Sequence, residues 1–110
     1  MTHVTVTKDV FNNITSVVCD GHTNYGVSGE DIVCSALSSI VQTAVLGILT
    51  FVQVDINLKR NEQKGFLSFE IPKDLTDEKR HDVNLLLNTM LCGISDLREG
   101  YSDFIELEVK

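Results

Sequence analysis

The stretch GHTNYGVSGEDIVCSALSS, which runs from Gly21 to Ser39, separates an alternating apolar segment from the most regular helical pattern in the chain. Three of the seven glycines fall within it, which predicts a loop that leads directly into a helix. His22 stands at the entry of this loop and Cys34 lies about one turn inside the helix. The loop therefore connects an imidazole to a thiol twelve positions further along the chain, a separation long enough to bring the two together.

Apolar periodicity around this stretch predicts the element order β-β-α-β-β-α-β. We expect an α+β fold, a two-layer sandwich in which two helices pack on one face of a five-strand sheet. The chain of 110 residues, 1–110, forms one domain. The predicted strands cover 3–7, 14–20, 52–58, 66–71 and 101–109, with a charged turn at 59–65. The first helix is capped by Ser28 or Gly29 and the second by Thr76.

Composition limits the partners of the protein. The net charge is −7 and the sequence has no basic patch, so direct contact with nucleic acid is not expected. Three cysteines and a strand-like N-terminus without a signal sequence indicate reduced thiols and a cytoplasmic protein.

The region from Ile32 to Val54 carries no charge over 23 residues and is long enough to cross a membrane. Its first five polar residues fall on one side of a helix, which predicts an amphipathic core helix and no membrane contact. Leu46 and Leu49 lie on the otherwise polar side. These two leucines indicate cover by another element or by a second subunit.

The loop and helix carry the candidate chemistry. A helix N-terminus and a nearby imidazole both stabilise a thiolate, so Cys34 with His22 forms a candidate nucleophile and base. The first amides of the helix, that of Cys34 included, are candidate oxyanion donors. Asp20 or Asp31 could orient His22, although Asp31 could instead cap the helix. Ser38 lies one turn after Cys34 and either reaches the site or belongs to the polar face.

The other cysteines and histidines suggest less. Cys19, in a strand, and Cys92, in the second helix, are predicted to be buried structural thiols, while His3 and His81 look incidental. A zinc site is an alternative, because Cys19-x-x-His22 followed by Cys34 offers three ligands with Cys92 as a distant fourth.

The segments Gly21-His22, Tyr25 and Gly29-x-Asp31-Ile32-Val33-Cys34-Ser35-Ala36-x-Ser38 resemble the ribosomal-processing cysteine protease family, called Prp. The resemblance extends over nearly the whole chain. It includes the Val-Gln-Thr run of the first helix and the Ile71-Pro72 end of the fourth strand.

The resemblance implies a cysteine endopeptidase in which Cys34 is the nucleophile and His22 the general base and acid. Gly21, Asp31 and Ser38 match motif positions with supporting roles. The implied reaction removes a short N-terminal extension from a large-subunit bacterial ribosomal protein, after a phenylalanine-rich apolar segment.

The same resemblance implies a homodimer that needs no cofactor or metal. Tyr25, Val27 and Gly29 belong to the implied substrate loop, where Tyr25 and Val27 could line an apolar groove. A non-catalytic binding module of ribosome assembly, built on the same fold, is the alternative function.

Overall fold

The elements follow the predicted order in this computed structural model, which describes residues 1–21, 30–61, 63 and 65–110, with backbone only for Glu30 and Asp31. The five strands form one sheet. The elements are β1 (Thr2–Lys8), β2 (Ile14–Asp20), α1 (Glu30–Gly47), β3 (Lys59–Asn61), β4 (Phe66–Glu70), α2 (Asp77–Gly100) and β5 (Ile105–Val109), and a π-helical segment, Ile48–Val52, continues α1.

The sheet is mixed, with the strand order β3-β4-β2-β1-β5. β1 pairs antiparallel with β2 and parallel with β5, while β4 pairs antiparallel with β2 and β3. Both helices cover one face, so the predicted two-layer α+β sandwich is confirmed. Alternate residues of the central strands point into the core between sheet and helices. This inner face carries Val4, Val6, Val17, Cys19, Leu67 and Phe69, all buried.

The turn between β1 and β2 fixes which residues of the two strands face each other. Asp9 Oδ1 accepts hydrogen bonds from the backbone N–H groups of Phe11 (2.9 Å) and Asn13 (3.0 Å). The hydrogen bond from the Asn13 amide is the main cause of the lowered pKa of Asp9. Asn12 adopts a left-handed conformation with φ 67°. The resulting register pairs His3 with Asp20, so the next residues along, Thr2 and Gly21, lie side by side.

The third strand is not where the alternation predicts it. Residues 53–58 form no strand, and β3 lies at Lys59–Asn61, inside the predicted charged turn. Burial still alternates, because Val54 is buried while Asp55 and Asn57 are exposed. The alternation therefore reports side-chain burial along an extended segment, whereas strand pairing depends on backbone contact with β4.

Ile32–Val52 has a mean hydropathy of 2.0 and could cross a membrane by length and composition alone. Seven of its side chains pack into the core of the domain, which is the behaviour of a core helix. They are Val33, Leu37, Val41, Ala44, Val45, Ile48 and Val52. Leu46, Leu49 and Phe51 are exposed at its C-terminal end.

The second helix starts as predicted and packs closely against the first. The side chain of Thr76 accepts a hydrogen bond from the Lys79 backbone N–H (3.2 Å), which caps α2. Gly93 faces Ile40 of α1, and a Cβ at this glycine would lie 3.3 Å from Ile40 Cγ2. This close approach of α2 holds α1 against the sheet and so fixes the position of Cys34.

Candidate active site

Gly21 is placed where no other residue fits without rearrangement. Its φ is +127°, in the region that favours glycine. A Cβ here would collide with the carbonyl oxygen of Met1 and would lie 3.0 Å from Thr2 Cα. The end of β2 therefore lies directly against the start of β1, immediately before His22.

Cys34 lies in the second turn of α1, which begins at Glu30, and its side chain is half-buried. The hydroxyl of Thr2 lies 3.5 Å from its sulfur. The same hydroxyl donates a hydrogen bond to the carbonyl oxygen of Gly21 (3.4 Å). The first strand, the end of the second strand and the first helix thus meet at the thiol.

The start of α1 also bears on the oxyanion donors. In an α-helix the N–H of the fifth residue donates to the carbonyl of the first, so the Cys34 amide has Glu30 as its helical partner. In α-helices generally, the amides without a helical partner are those of the first turn. The Cys34 amide is therefore a poorer oxyanion donor than its place near the helix start suggests.

A cavity of about 180 Å³ lies between α1 and the strands beside Cys34. Most of its walls are apolar, and its polar groups lie around the thiol and on β3. The apolar lining consists of Cys19, Leu37, Val41, Phe66 and Leu67, and the polar lining includes Thr2, Ser38, Arg60 and Asn61. An open groove continues from Cys34 along the polar face of α1 as far as Leu46.

Ser38 belongs to this site and is linked to β3. Its hydroxyl accepts a hydrogen bond from Gln42 Nε2 (2.6 Å). Gln42 Oε1 in turn accepts one from Arg60 Nη1 (3.2 Å). Because Gln42 uses the oxygen of Ser38 as acceptor, the Ser38 proton is available for another acceptor.

The two remaining cysteines differ from each other. Cys19 is buried on the inner face of β2, as predicted, and burial raises its pKa to about 12. Cys92 is exposed, so the prediction of a buried thiol is wrong there. Cys92 lies off the buried stripe of α2, which runs through Val83, Leu87, Met90 and Ile94.

The other titratable candidates lie away from the cavity. His3 contacts Glu106 (3.2 Å) and His81 contacts Asp82 (3.2 Å), and both histidines are exposed. Asp20 is exposed on the outer face of the sheet, because the preceding residue, Cys19, points inward. The Asp20 side chain therefore lies on the face of the sheet opposite the cavity.

Several predicted site residues lie outside the described part of the chain. These are His22, Tyr25, Val27 and Gly29, together with the side chain of Asp31. Within the described ranges, no three His, Cys, Asp or Glu residues are grouped so as to hold a metal ion. The zinc alternative includes His22, so this finding does not test it.

Thr2, Gln42 and Arg60 were missed by the sequence analysis. Thr2 looks like an ordinary strand residue, and only the register of the β1–β2 hairpin brings it beside Gly21 and Cys34. Arg60 falls in the predicted turn. The spacing of Ser38 and Gln42, four residues apart on α1, was the available signal for their hydrogen bond.

A thiol at the start of a long helix, beside an apolar cavity and preceded by a Gly-His pair, is an arrangement typical of thiol hydrolases.

Comparison with known proteins points to the same class of enzyme. The sequence model described as "Cysteine protease Prp" matches residues 1–106. The ribosomal processing cysteine protease Prp of Staphylococcus aureus (strain Mu50 / ATCC 700699) is 32% identical over the full length of both chains. The protein of that name from Bacillus subtilis (strain 168) is 27% identical over 94% of this chain and 92% of its own.

Solved structures give the same result for the fold. The S. aureus protease in complex with a substrate peptide superposes with a TM-score of 0.87 at 26% identity, over all of both chains. Its complex with a covalently linked product peptide gives 0.84 at 27% identity, again over all of both chains. The chain is a cysteine protease. It belongs to the Prp family.

Proposed function

We propose that this protease uses Cys34 as its nucleophile and His22 as its general base and acid. The observation that carries the proposal is the position of Cys34. Its thiol is half-buried in the second turn of α1, lines an apolar cavity and contacts a hydroxyl group. The covalently linked product peptide in the S. aureus relative supports a nucleophile of this kind in the family.

The reaction follows acyl-transfer chemistry. The Cys34 thiolate attacks the scissile carbonyl carbon, and the resulting tetrahedral intermediate collapses when the imidazolium of His22 protonates the leaving amine. Water then attacks the thioester as His22 removes its proton, which releases the new carboxylate and restores the thiolate. Gly21 fixes the chain that leads to His22. Asp31 and Ser38 support the pair, with Ser38 as a candidate hydrogen-bond donor to the oxyanion.

We further propose that the substrate is a large-subunit ribosomal protein with an N-terminal extension. The relatives from S. aureus and B. subtilis are ribosomal processing proteases, and the apolar cavity suits an apolar side chain before the cut. The net charge of −7 attracts a basic mature N-terminus after the cut. Tyr25, Val27 and Gly29 would complete the groove from the substrate loop. Such a reaction takes place in the cytoplasm and needs no cofactor.

The test is cleavage of that precursor by the purified protein, followed by mass spectrometry of the products. We expect one cut that separates the extension from the mature protein. The Cys34→Ala variant should lose cleavage entirely, whereas Cys92→Ala, which removes the exposed thiol of α2, should keep it. Cleavage by Cys34→Ala would refute the assignment of the nucleophile, and an uncut precursor with the unmodified enzyme would refute the substrate.

The protein is also proposed to be a homodimer. Leu46, Leu49 and Phe51 form an exposed apolar group at the end of the first helix, and Phe51 is 85% exposed. Monomeric surfaces seldom leave such neighbours uncovered, so a second copy of the chain is the expected partner.

Two matched substitutions test the dimer. Sedimentation equilibrium of Phe51→Lys should show monomer at micromolar concentration. Phe11→Lys, which changes an equally exposed phenylalanine (81%) in the β1–β2 turn, should remain dimeric. A monomeric unmodified protein would end this proposal without affecting the assignment of Cys34.

A further inference from the structure

Thr2 occupies a position that a strand normally fills with an apolar residue. It lies on the inner face of β1, two residues before Val4, and is only 5% exposed. Among the described residues it is the one polar side chain in the buried class. Burial of a hydroxyl is unfavourable unless the group forms hydrogen bonds, so the contacts of the Thr2 hydroxyl must compensate for its removal from water.

The backbone holds Thr2 firmly in this place. Its N–H donates to the carbonyl oxygen of Phe104 (2.9 Å), just before β5, and the parallel register pairs Thr2 with Ile105. On the other side, the backbone of Gly21 lies so close that a Cβ there would be 3.0 Å from Thr2 Cα. A β-branched side chain on a fixed backbone has few rotamers, so the hydroxyl position is well defined.

The hydroxyl has one proton and two acceptors within reach. The Gly21 carbonyl oxygen lies 3.4 Å from Oγ1 and the Cys34 sulfur lies 3.5 Å from it. The first distance is long for a hydrogen bond between oxygens, so that bond holds the proton only weakly. A negatively charged sulfur is the stronger competitor for it.

We propose that the Thr2 hydroxyl donates a hydrogen bond to the Cys34 sulfur when this sulfur is a thiolate. When the sulfur is neutral, the hydroxyl donates to the Gly21 carbonyl oxygen instead. This inference rests on the proposed role of Cys34 as the nucleophile. In the thiol state the S–H group donates to Thr2 Oγ1, and in the thioester state the sulfur is a weak acceptor. The hydroxyl therefore favours the charged state of the sulfur over both neutral states.

The consequence for the reaction is a hydrogen-bond donor held beside the attacking sulfur. A hydrogen bond to a charged atom outweighs a bond from the weakly donating S–H group, and the bond to the Gly21 carbonyl is given up in exchange. Because this exchange favours the charged sulfur, we expect removal of the hydroxyl to slow the labelling of Cys34 about tenfold below the plateau of its pH profile.

The test measures the rate of iodoacetamide labelling of Cys34 as a function of pH, resolved by peptide mass spectrometry. In Thr2→Val, which keeps the shape and removes the hydroxyl, the midpoint of the pH profile should rise by about one unit. Thr2→Ser should restore the midpoint of the unmodified protein. Thr5→Val is the matched control, because it makes the same change on β1 away from the core. Thr2→Ala gives the same prediction if Val disturbs the start of the strand.

The outcomes separate this inference from the proposed function. An unchanged or lowered midpoint in the variants that lack the hydroxyl, or an equal rise in Thr2→Ser, would overturn it. The labelling experiment needs no substrate, so a raised midpoint supports the contact even if the ribosomal precursor is not cut. For the cleaved substrate, kcat/KM of Thr2→Val should be about tenfold lower at low pH and should recover as the pH rises.

Discussion

Cys19 and Cys34 line the same cavity, yet the fold gives them different surroundings. Cys19 projects from the inner face of β2, where burial raises its pKa to about 12 and no solvent reaches it freely. Cys34 is half-buried at the start of a helix, with the Thr2 hydroxyl 3.5 Å from its sulfur. Sharing a cavity therefore does not make a thiol a nucleophile. Access to water and to hydrogen-bond donors is what distinguishes the surroundings of the two thiols.

Cys92 shows that exposure alone is also insufficient. It is exposed on α2, and it does not line the cavity beside Cys34. Of the three thiols, only Cys34 combines partial exposure with a neighbouring cavity, and Cys92 provides an internal reference for an ordinary exposed thiol.

The largest expected effect is a difference in alkylation rate between the two thiols of the cavity. Burial raises the pKa of Cys19 from 9.0 to about 12, so at neutral pH this cysteine has about a thousandfold less thiolate than an ordinary thiol. Iodoacetamide at pH 7.5 should therefore label Cys34 at least as fast as Cys92 and leave Cys19 unmodified. Labelling of Cys19 should begin only under strongly alkaline conditions, since its neutral form persists up to that pKa. Equal rates for Cys19 and Cys92 would contradict the comparison.

The next effect concerns Gly21, where the end of β2 lies against the start of β1 beside Cys34. Gly21→Ala should lower the free energy of unfolding by roughly 1–3 kcal/mol, because a Cβ at φ +127° is strained and collides with the start of β1. It should also displace Thr2 from Cys34 and so slow the labelling of Cys34 but not of Cys92. Urea unfolding and labelling rates provide the two measurements.

Gly100→Ala is the control for this substitution. Nothing lies within 4 Å of a Cβ at Gly100, at the end of α2. This variant should be neutral or slightly stabilised, because alanine favours a helix more than glycine does. A Gly21→Ala protein as stable as Gly100→Ala would show that the contact between β1 and the end of β2 is not tight.

The sequence predicted most of the fold because its apolar periodicity reports burial directly. The element order and the two-layer arrangement follow from that periodicity, and the helical stripe of α1 places Cys34 correctly. It did not predict β3, since Lys59–Asn61 are exposed and their pairing depends on β4. It also misplaced Cys92, because a cysteine within a leucine-rich helix does not reveal which side it faces.

The candidate site was predicted less completely, for a different physical reason. Local motifs identify Cys34 and Ser38, whose spacing on one helix fixes their relation. The contact of Thr2 with Cys34 joins residues 32 positions apart, and the link of Gln42 to Arg60 joins residues 18 apart. Such contacts depend on how three elements pack together, which periodicity along the chain does not encode.

The smallest expected effect concerns the polar lining of the cavity. Ser38 lines it from α1, and Cys19 lines it from β2 in the sheet. Gln42→Leu removes the hydrogen bonds that connect Ser38 to Arg60, at 2.6 Å and 3.2 Å, while it keeps an apolar stem on α1. A typical hydrogen bond contributes about 0.5–1.5 kcal/mol, which corresponds to a decrease in kcat of roughly two- to tenfold if the Ser38 hydroxyl acts on the reaction.

The decrease should fall on kcat more than on KM, because an oriented hydroxyl acts mainly on the charge that develops in the transition state. Thr89→Val, which changes an exposed threonine of α2 away from the groove, should leave both constants as they are. The labelling rate of Cys34 should stay unchanged in Gln42→Leu, because this substitution leaves Thr2 in place. A fall in labelling without a fall in kcat would mean that Gln42 acts on the thiol, and that the two sides of the cavity are less independent than their contacts indicate.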